Sequence, residues 1–114
     1  MKRTDFTNCS CAMQRSMGIL GTRWKPVIVY KLADRKIRFG QLAVMIEGIS
    51  RKVLTSSLKE LEEDGIVMRE EFKEIPPRVE YSLTAKGKAL IPIMCQLVKW
   101  NEEFHEQTDT LQPL

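Results

Sequence analysis

The chain has 114 residues, 43% hydrophobic and 29% charged, with a formal net charge of +3. That composition fits one ordinary globular domain with one modest core and excludes a disordered, collagen-like or disulfide-framework protein. Three cysteines, Cys9, Cys11 and Cys95, are odd in number and too few for a secreted scaffold, so reduced thiols are expected. No apolar run approaches the roughly 18 residues of a membrane span and no basic-then-apolar leader opens the sequence, which predicts a cytoplasmic protein without membrane contact.

Taken in chain order, residues 1–8 and 107–114 read as flexible ends around one domain at 9–106. "CAMQRSMGILG" carries Met13, Met17 and Leu20 at helical spacing and stops at Gly21; "WKPVIVYKLADRK" comes next as a second helix with Pro26 in its first turn. After an extended "IRF", the stretch "FGQLAVMI" places Leu42 and Ile46 on one helix face, and Gly48 allows a tight turn into Ser50. Ser50 is a good N-cap, and Leu54, Leu58 and Leu61 continue as a buried stripe. Gly65 ends that helix. "IVMREEF" and "RVEYSL" read as strands joined by "KEIPP", with Val79, Tyr81 and Leu83 alternating. Thr84 caps a last helix, "AKGKALIPIMCQLVKWNEEF", in which Pro92 imposes a bend or confines the regular part to the residues after it. The pattern predicts an α+β fold, mainly α: a helix-turn-helix followed by a projecting hairpin, with further helices at both ends.

Charge is unevenly placed. From Arg23 to Lys59 nine basic residues stand against Asp34 and Glu47, a local balance of +7 that leaves the remainder acidic. Counting 100° per residue from Leu54, the face opposite the leucine stripe holds Lys52, Ser56, Lys59 and Glu63, with Thr55 on its flank. Cations in a first turn oppose the helix macrodipole, and a polyanion would supply the missing negative charge. A cationic, hydroxylic start suits a recognition helix in the major groove of duplex DNA, whereas the same face also suits an ordinary solvated helix. The hairpin favours the former, because Lys73 and Arg78 flank a tip stiffened by Pro76 and Pro77 that can reach an adjacent minor groove. The candidate DNA-contacting set is Arg38, Ser50, Arg51, Lys52, Thr55, Ser56, Lys59, Lys73 and Arg78. The alternative, a winged-helix module that binds protein, needs apolar anchors on the outward face of residues 52–59, and Lys52, Ser56 and Lys59 offer none.

Together, "LGTRWKPVIVYKL", "RFGQLAVMIEGISRKVLTSSLKELEEDGIVMRE", "IPPRVEYSLTAKGKALIPI" and Trp100 resemble the HxlR-type winged helix-turn-helix regulators of prokaryotes, relatives of the MarR type, over about residues 11–104. The resemblance implies a homodimer that binds operator DNA and regulates nearby genes. It puts Ser50, Lys52, Thr55 and Ser56 on the recognition helix and Arg78 on the wing. Cys11 lies 13 residues before Trp24, where the family often has a cysteine; the family usually writes Cys-Pro there, whereas this chain has Cys11-Ala12 preceded by Cys9.

On the last helix Leu90, Ile91, Ile93, Met94, Leu97, Val98, Trp100 and Phe104 cover about half the circumference, more than the roughly 100° that a one-sided helix needs. The surplus predicts a two-fold dimer through Met13, Met17, Leu90, Met94, Leu97, Trp100 and Phe104. Such a dimer fits an inverted-repeat operator with half-sites about 34 to 36 Å, or a small multiple, apart. Cys11 is placed at the start of the first helix, where orphan N–H groups and nearby Arg15 favour thiolate, so its oxidation is a candidate signal for operator release. The other meaning of Cys11 is a small apolar residue in a packed interface, and Cys9 is either a resolving thiol or merely exposed. Convergent catalytic groups are missing: His105 stands near one end, "MGILG" lacks phosphate-loop spacing, and Cys9, Cys11, Cys95 and His105 lack the paired spacing of a zinc module. No catalytic site, metal or cofactor is predicted, and the sequence identifies no small-molecule effector.

Overall fold

The computed structural model describes the backbone of residues 3–111 and the side-chain surroundings of residues 10–105. In chain order the elements are α1 (Arg3–Leu20), α2 (Lys25–Leu32), β1 (Ile37–Arg38), α3 (Phe39–Met45), α4 (Arg51–Glu63), β2 (Val67–Phe72), β3 (Arg78–Leu83), α5 (Ala85–Lys88) and α6 (Leu90–Leu111). The short α2 is the hub: Ile28, Val29 and Leu32 lose all their exposure as it packs on α1, α4, α6 and β3. Leu42 from α3, Leu54, Leu58 and Leu61 from α4, and Tyr81 and Leu83 from β3 close the same core. The apolar spacing read from the sequence is the spacing the core uses.

Local chemistry fixes the element ends. Ser50 Oγ accepts from the Val53 N–H at 3.1 Å, and Thr84 Oγ1 accepts from the Gly87 N–H at 3.1 Å, so each helix start has one orphan donor satisfied. Gly48 and Gly65 stand at φ +87° and +74°, the left-handed region that a side chain resists; they carry the turn between α3 and α4 and the exit from α4. The sheet is antiparallel in the order β1-β3-β2, with Val67 opposite Leu83 and Phe72 opposite Arg78.

Two boundaries differ from those expected. The first helix begins at Arg3 instead of near Cys11, because nothing between Arg3 and Met17 is a glycine or proline that would stop it. At the other end, α6 continues to Leu111, past the limit set for the domain. The helix predicted after Thr84 is two helices: Pro92 lacks an N–H and its ring collides with the carbonyl four residues back, that of Lys88, where α5 ends. Lys25 is the buried cation of the core rim. Its Nζ lies 3.5 Å from the Gly18 carbonyl of α1 and 3.4 Å from Glu60 Oε1 of α4, which offsets the cost of burying a charge. Among the described residues no helix is long and apolar enough to cross a membrane.

Candidate nucleic-acid interface

The outward face of α4 is built by its inward one. With Leu54, Ser57, Leu58 and Leu61 buried, the 3.6-residue period leaves Lys52, Thr55, Ser56, Lys59 and Glu63 exposed. Thr55 Oγ1 donates to the Arg51 carbonyl at 2.7 Å and Ser56 Oγ to the Val53 carbonyl at 3.1 Å. Each hydroxyl keeps acceptor capacity toward solvent and can rotate its proton outward. Ser50 is also exposed at the helix start, but its oxygen is engaged in the cap.

The cations of this face are unopposed. Among the described residues no carboxylate lies within ion-pair distance of Arg38, Arg51, Lys52, Lys59 or Lys73, whereas Lys36 sits 3.0 Å from Glu70 and Arg69 sits 3.5 Å from Glu71. The first turn of α4 holds no acidic residue. The Arg51 guanidinium rests 5.8 Å from the Phe39 ring centroid, so it leans toward the start of α3. Positive charge at the positive end of a helix is unfavourable in the isolated protein and becomes favourable against phosphate.

The β2–β3 hairpin projects beside this helix, with Lys73 exposed and Ile75 fully exposed at its tip. Arg78 is not the free cation expected there. Its Nη1 lies 3.3 Å from Glu74 and its Nε 3.2 Å from Glu80, out of line for a hydrogen bond, while its guanidinium stacks 4.0 Å from the Phe72 ring centroid. Two carboxylates offset its charge, and its evident work is to pin the two strands at the base of the loop. Arg69, absent from the predicted set, emerges near the same region opposite Tyr81 in the ladder. The Tyr81 side chain facing it across the ladder, and secondarily the nearby charge of Glu71 and Glu62, favours the protonated form of Arg69. Its sequence context, "REEF", reads as a near-neutral solvated strand, and only the strand register reveals the tyrosine.

The terminal helices carry the apolar surplus. Met13, Met17, Leu97 and Phe104 are exposed and Trp100 keeps 62% of its surface open, its ring 6.3 Å from that of Phe104. Leu90 is partly buried against the core. Met94, expected at the dimer interface, is a core residue with 6% exposure, on the side of α6 that joins the core where that helix packs on α2. Cys11 is exposed but lies well inside α1, two turns from the helix start, so the orphan N–H groups invoked for it are not beside it. Cys95 is half-buried, and the side chain of Cys9 lies outside the described residues. No group of three or more histidine, cysteine, aspartate or glutamate side chains able to hold a metal occurs among the described residues.

A short helix, a glycine turn, a capped second helix with an unopposed cationic start, and a hairpin at its side define a winged helix-turn-helix. The chain belongs to the HxlR-like helix-turn-helix family, whose model matches residues 19–109. It is 37% identical to the HTH-type transcriptional regulator YdeP of Bacillus subtilis over 108 residues, 95% of this chain and 83% of that one. A MarR-family regulator from Porphyromonas gingivalis W83 superposes with a TM-score of 0.77 at 39% identity, covering 82% of this chain and 91% of the other. The reduced form of the redox regulator HypR superposes with a TM-score of 0.80 at 36% identity, covering 87% and 98%. This chain is thus a transcriptional regulator of the helix-turn-helix class, and these relatives are regulators, not enzymes.

Proposed function

We propose that the protein is a homodimeric repressor that binds an inverted-repeat operator through α4 and the wing. The observation that carries this reading is the outward face of α4: Lys52 and Lys59 exposed without acidic partners, two hydroxyls between them, and no apolar anchor for a protein ligand. Exposed apolar side chains on α1 and α6 support the dimer, and duplex DNA as ligand accords with a cytoplasmic protein. The test is recovery of bound sequences from a random duplex pool, followed by anisotropy titrations against the recovered site and a scrambled one. A palindromic consensus with at least ~10³-fold preference over scrambled DNA is expected; absence of any preference sinks the reading in favour of a protein-binding module.

Thiol-dependent release is a second reading, favoured by the exposure of Cys11 on α1 and by likeness to the redox regulator HypR. Two thiols would lose two electrons and two protons to a diamide-type oxidant, forming one disulfide that alters the spacing of the recognition helices. Operator release by diamide in the wild type, absent in Cys11→Ser, is the expected result. Equal behaviour of the two proteins removes Cys11 from the signal.

A further inference from the structure

Between the start of α3 and the wing lies a cleft of about 530 Å³, and its walls include three arginines, Arg38, Arg69 and Arg78, one carboxylate, Glu74, and the rings of Phe39 and Tyr81. Arg51, the first residue of the recognition helix, stands at its rim through its approach to Phe39. The cleft therefore lies between the start of the helix that precedes α4 and the wing. With α4 in a major groove and the wing in the neighbouring minor groove, the one sugar-phosphate strand that divides those grooves would run along this cleft.

We propose that Arg69, together with Arg38, clamps a phosphodiester of that strand, and that Tyr81 is the positioning residue that aims the Arg69 guanidinium. The proposal rests on the DNA-binding reading above and adds a site to it. Arg69 and Tyr81 are cross-strand partners in the β2–β3 ladder and line the same cleft, and Tyr81 is buried, so it is a fixed neighbour for the exposed guanidinium beside it. Arg78 opens onto the same cleft, but Glu74 and Glu80 already occupy it. Arg69 is held more loosely, by one Glu71 oxygen at 3.5 Å, with Glu62 of α4 contributing at longer range. A phosphate displaces such a carboxylate and takes two parallel N–H donors in its place. Arg38 adds a second cation with no carboxylate to displace among the described residues.

The experiment is anisotropy with the full chain on its recovered operator and on scrambled duplex, from about 50 to 200 mM salt. Arg69→Gln should weaken both DNAs by a similar factor, about tenfold, and flatten the slope of log affinity against log salt by about 1.8 for the dimer, the signature of one phosphate in each half-site no longer neutralised. Arg69→Lys should keep the slope while losing part of the affinity, since the charge remains and the fork does not. Glu71→Gln should strengthen binding about threefold, a gain that a damaged fold does not produce. Tyr81→Phe should weaken binding about threefold with an unchanged melting temperature and salt slope. An Arg69→Gln protein with the wild-type slope overturns the clamp, as does a loss confined to the operator, which marks recognition of a base. If the wild type prefers no DNA, the failure belongs to the DNA-binding reading itself.

Discussion

The helix-turn-helix body and the terminal helices spend their apolar residues differently. From α2 to α5 one contiguous set of large apolar side chains turns inward: Ile28, Leu42, Leu54, Leu58 and Leu61 are essentially without exposure, and those left most open, Tyr30, Val44, Met68 and Ile75, are scattered over separate elements. Along α1 and the outer part of α6 they turn outward, and Leu97 keeps 50% of its surface and Trp100 62%. One region completes its core within a single chain, and the other has the composition of a core without its second half. A surface of this kind on a small protein is what an interface requires. On the dimeric reading proposed above, the difference separates two tasks: the body presents α4 and the wing, and the ends set how far apart two copies of α4 are held.

The division between body and ends breaks most visibly if the ends are not an interface. Leu97→Glu should give a monomer by sedimentation at micromolar concentration and reduce operator affinity at least ~100-fold, the loss expected when two linked half-sites become independent. Its folding should be little disturbed, because half of that side chain is already in solvent. Leu58→Ala is the counterpart in the body, where roughly 2–5 kcal/mol of stability is expected to disappear at every protein concentration. A dimeric Leu97→Glu protein, or a Leu58→Ala melting temperature that rises steeply with concentration, would erase the distinction.

Most of the body was legible because its signals are local. The leucine period of α4, the cap at Ser50 and the glycines after α3 and α4 each act within a few residues, and the structure uses all of them. The α5–α6 break was half legible: Pro92 announces a disruption, but the carbonyl it displaces lies four residues earlier. What escaped depends on packing between elements. The charge of Arg78 reads as free until Phe72, Glu74 and Glu80 are folded around it. Met94 and Leu97 look alike in sequence, yet Met94 joins the core cluster at 6% exposure while Leu97 stays half open.

Within the body, the recognition face and the wing base should also separate. Lys52→Ala with Ser56→Ala is expected to cost about 1–3 kcal/mol for each base that goes unread and to relax the selected sequence, as residues at base edges do. Arg78→Ala should lower affinity for operator and scrambled DNA alike, because the hairpin loses its pin and Glu74 and Glu80 are left unopposed beside the duplex. Identical selection logos for all of these proteins would show that α4 does not read bases.

The smallest effect concerns Ser50, where folding and binding make opposite demands on one side chain. Its Oγ accepts from the Val53 N–H at 3.1 Å, so Ser50→Ala should lower stability by about 1 kcal/mol, a melting shift of roughly 4–8 °C for a domain near this size. Aspartate caps as well as serine, and its charge suits the positive helix end, so Ser50→Asp should melt at or slightly above the wild-type temperature. The same carboxylate would stand on the exposed start of α4, beside Arg51 and Lys52, where it repels phosphate and neutralises a neighbouring cation. A protein more stable than Ser50→Ala but weaker on DNA is the expected outcome, read by thermal melting and anisotropy on the same samples. If Ser50→Asp binds its operator as tightly as the wild type, the start of α4 is not turned toward a polyanion, and the unopposed cations there need another explanation.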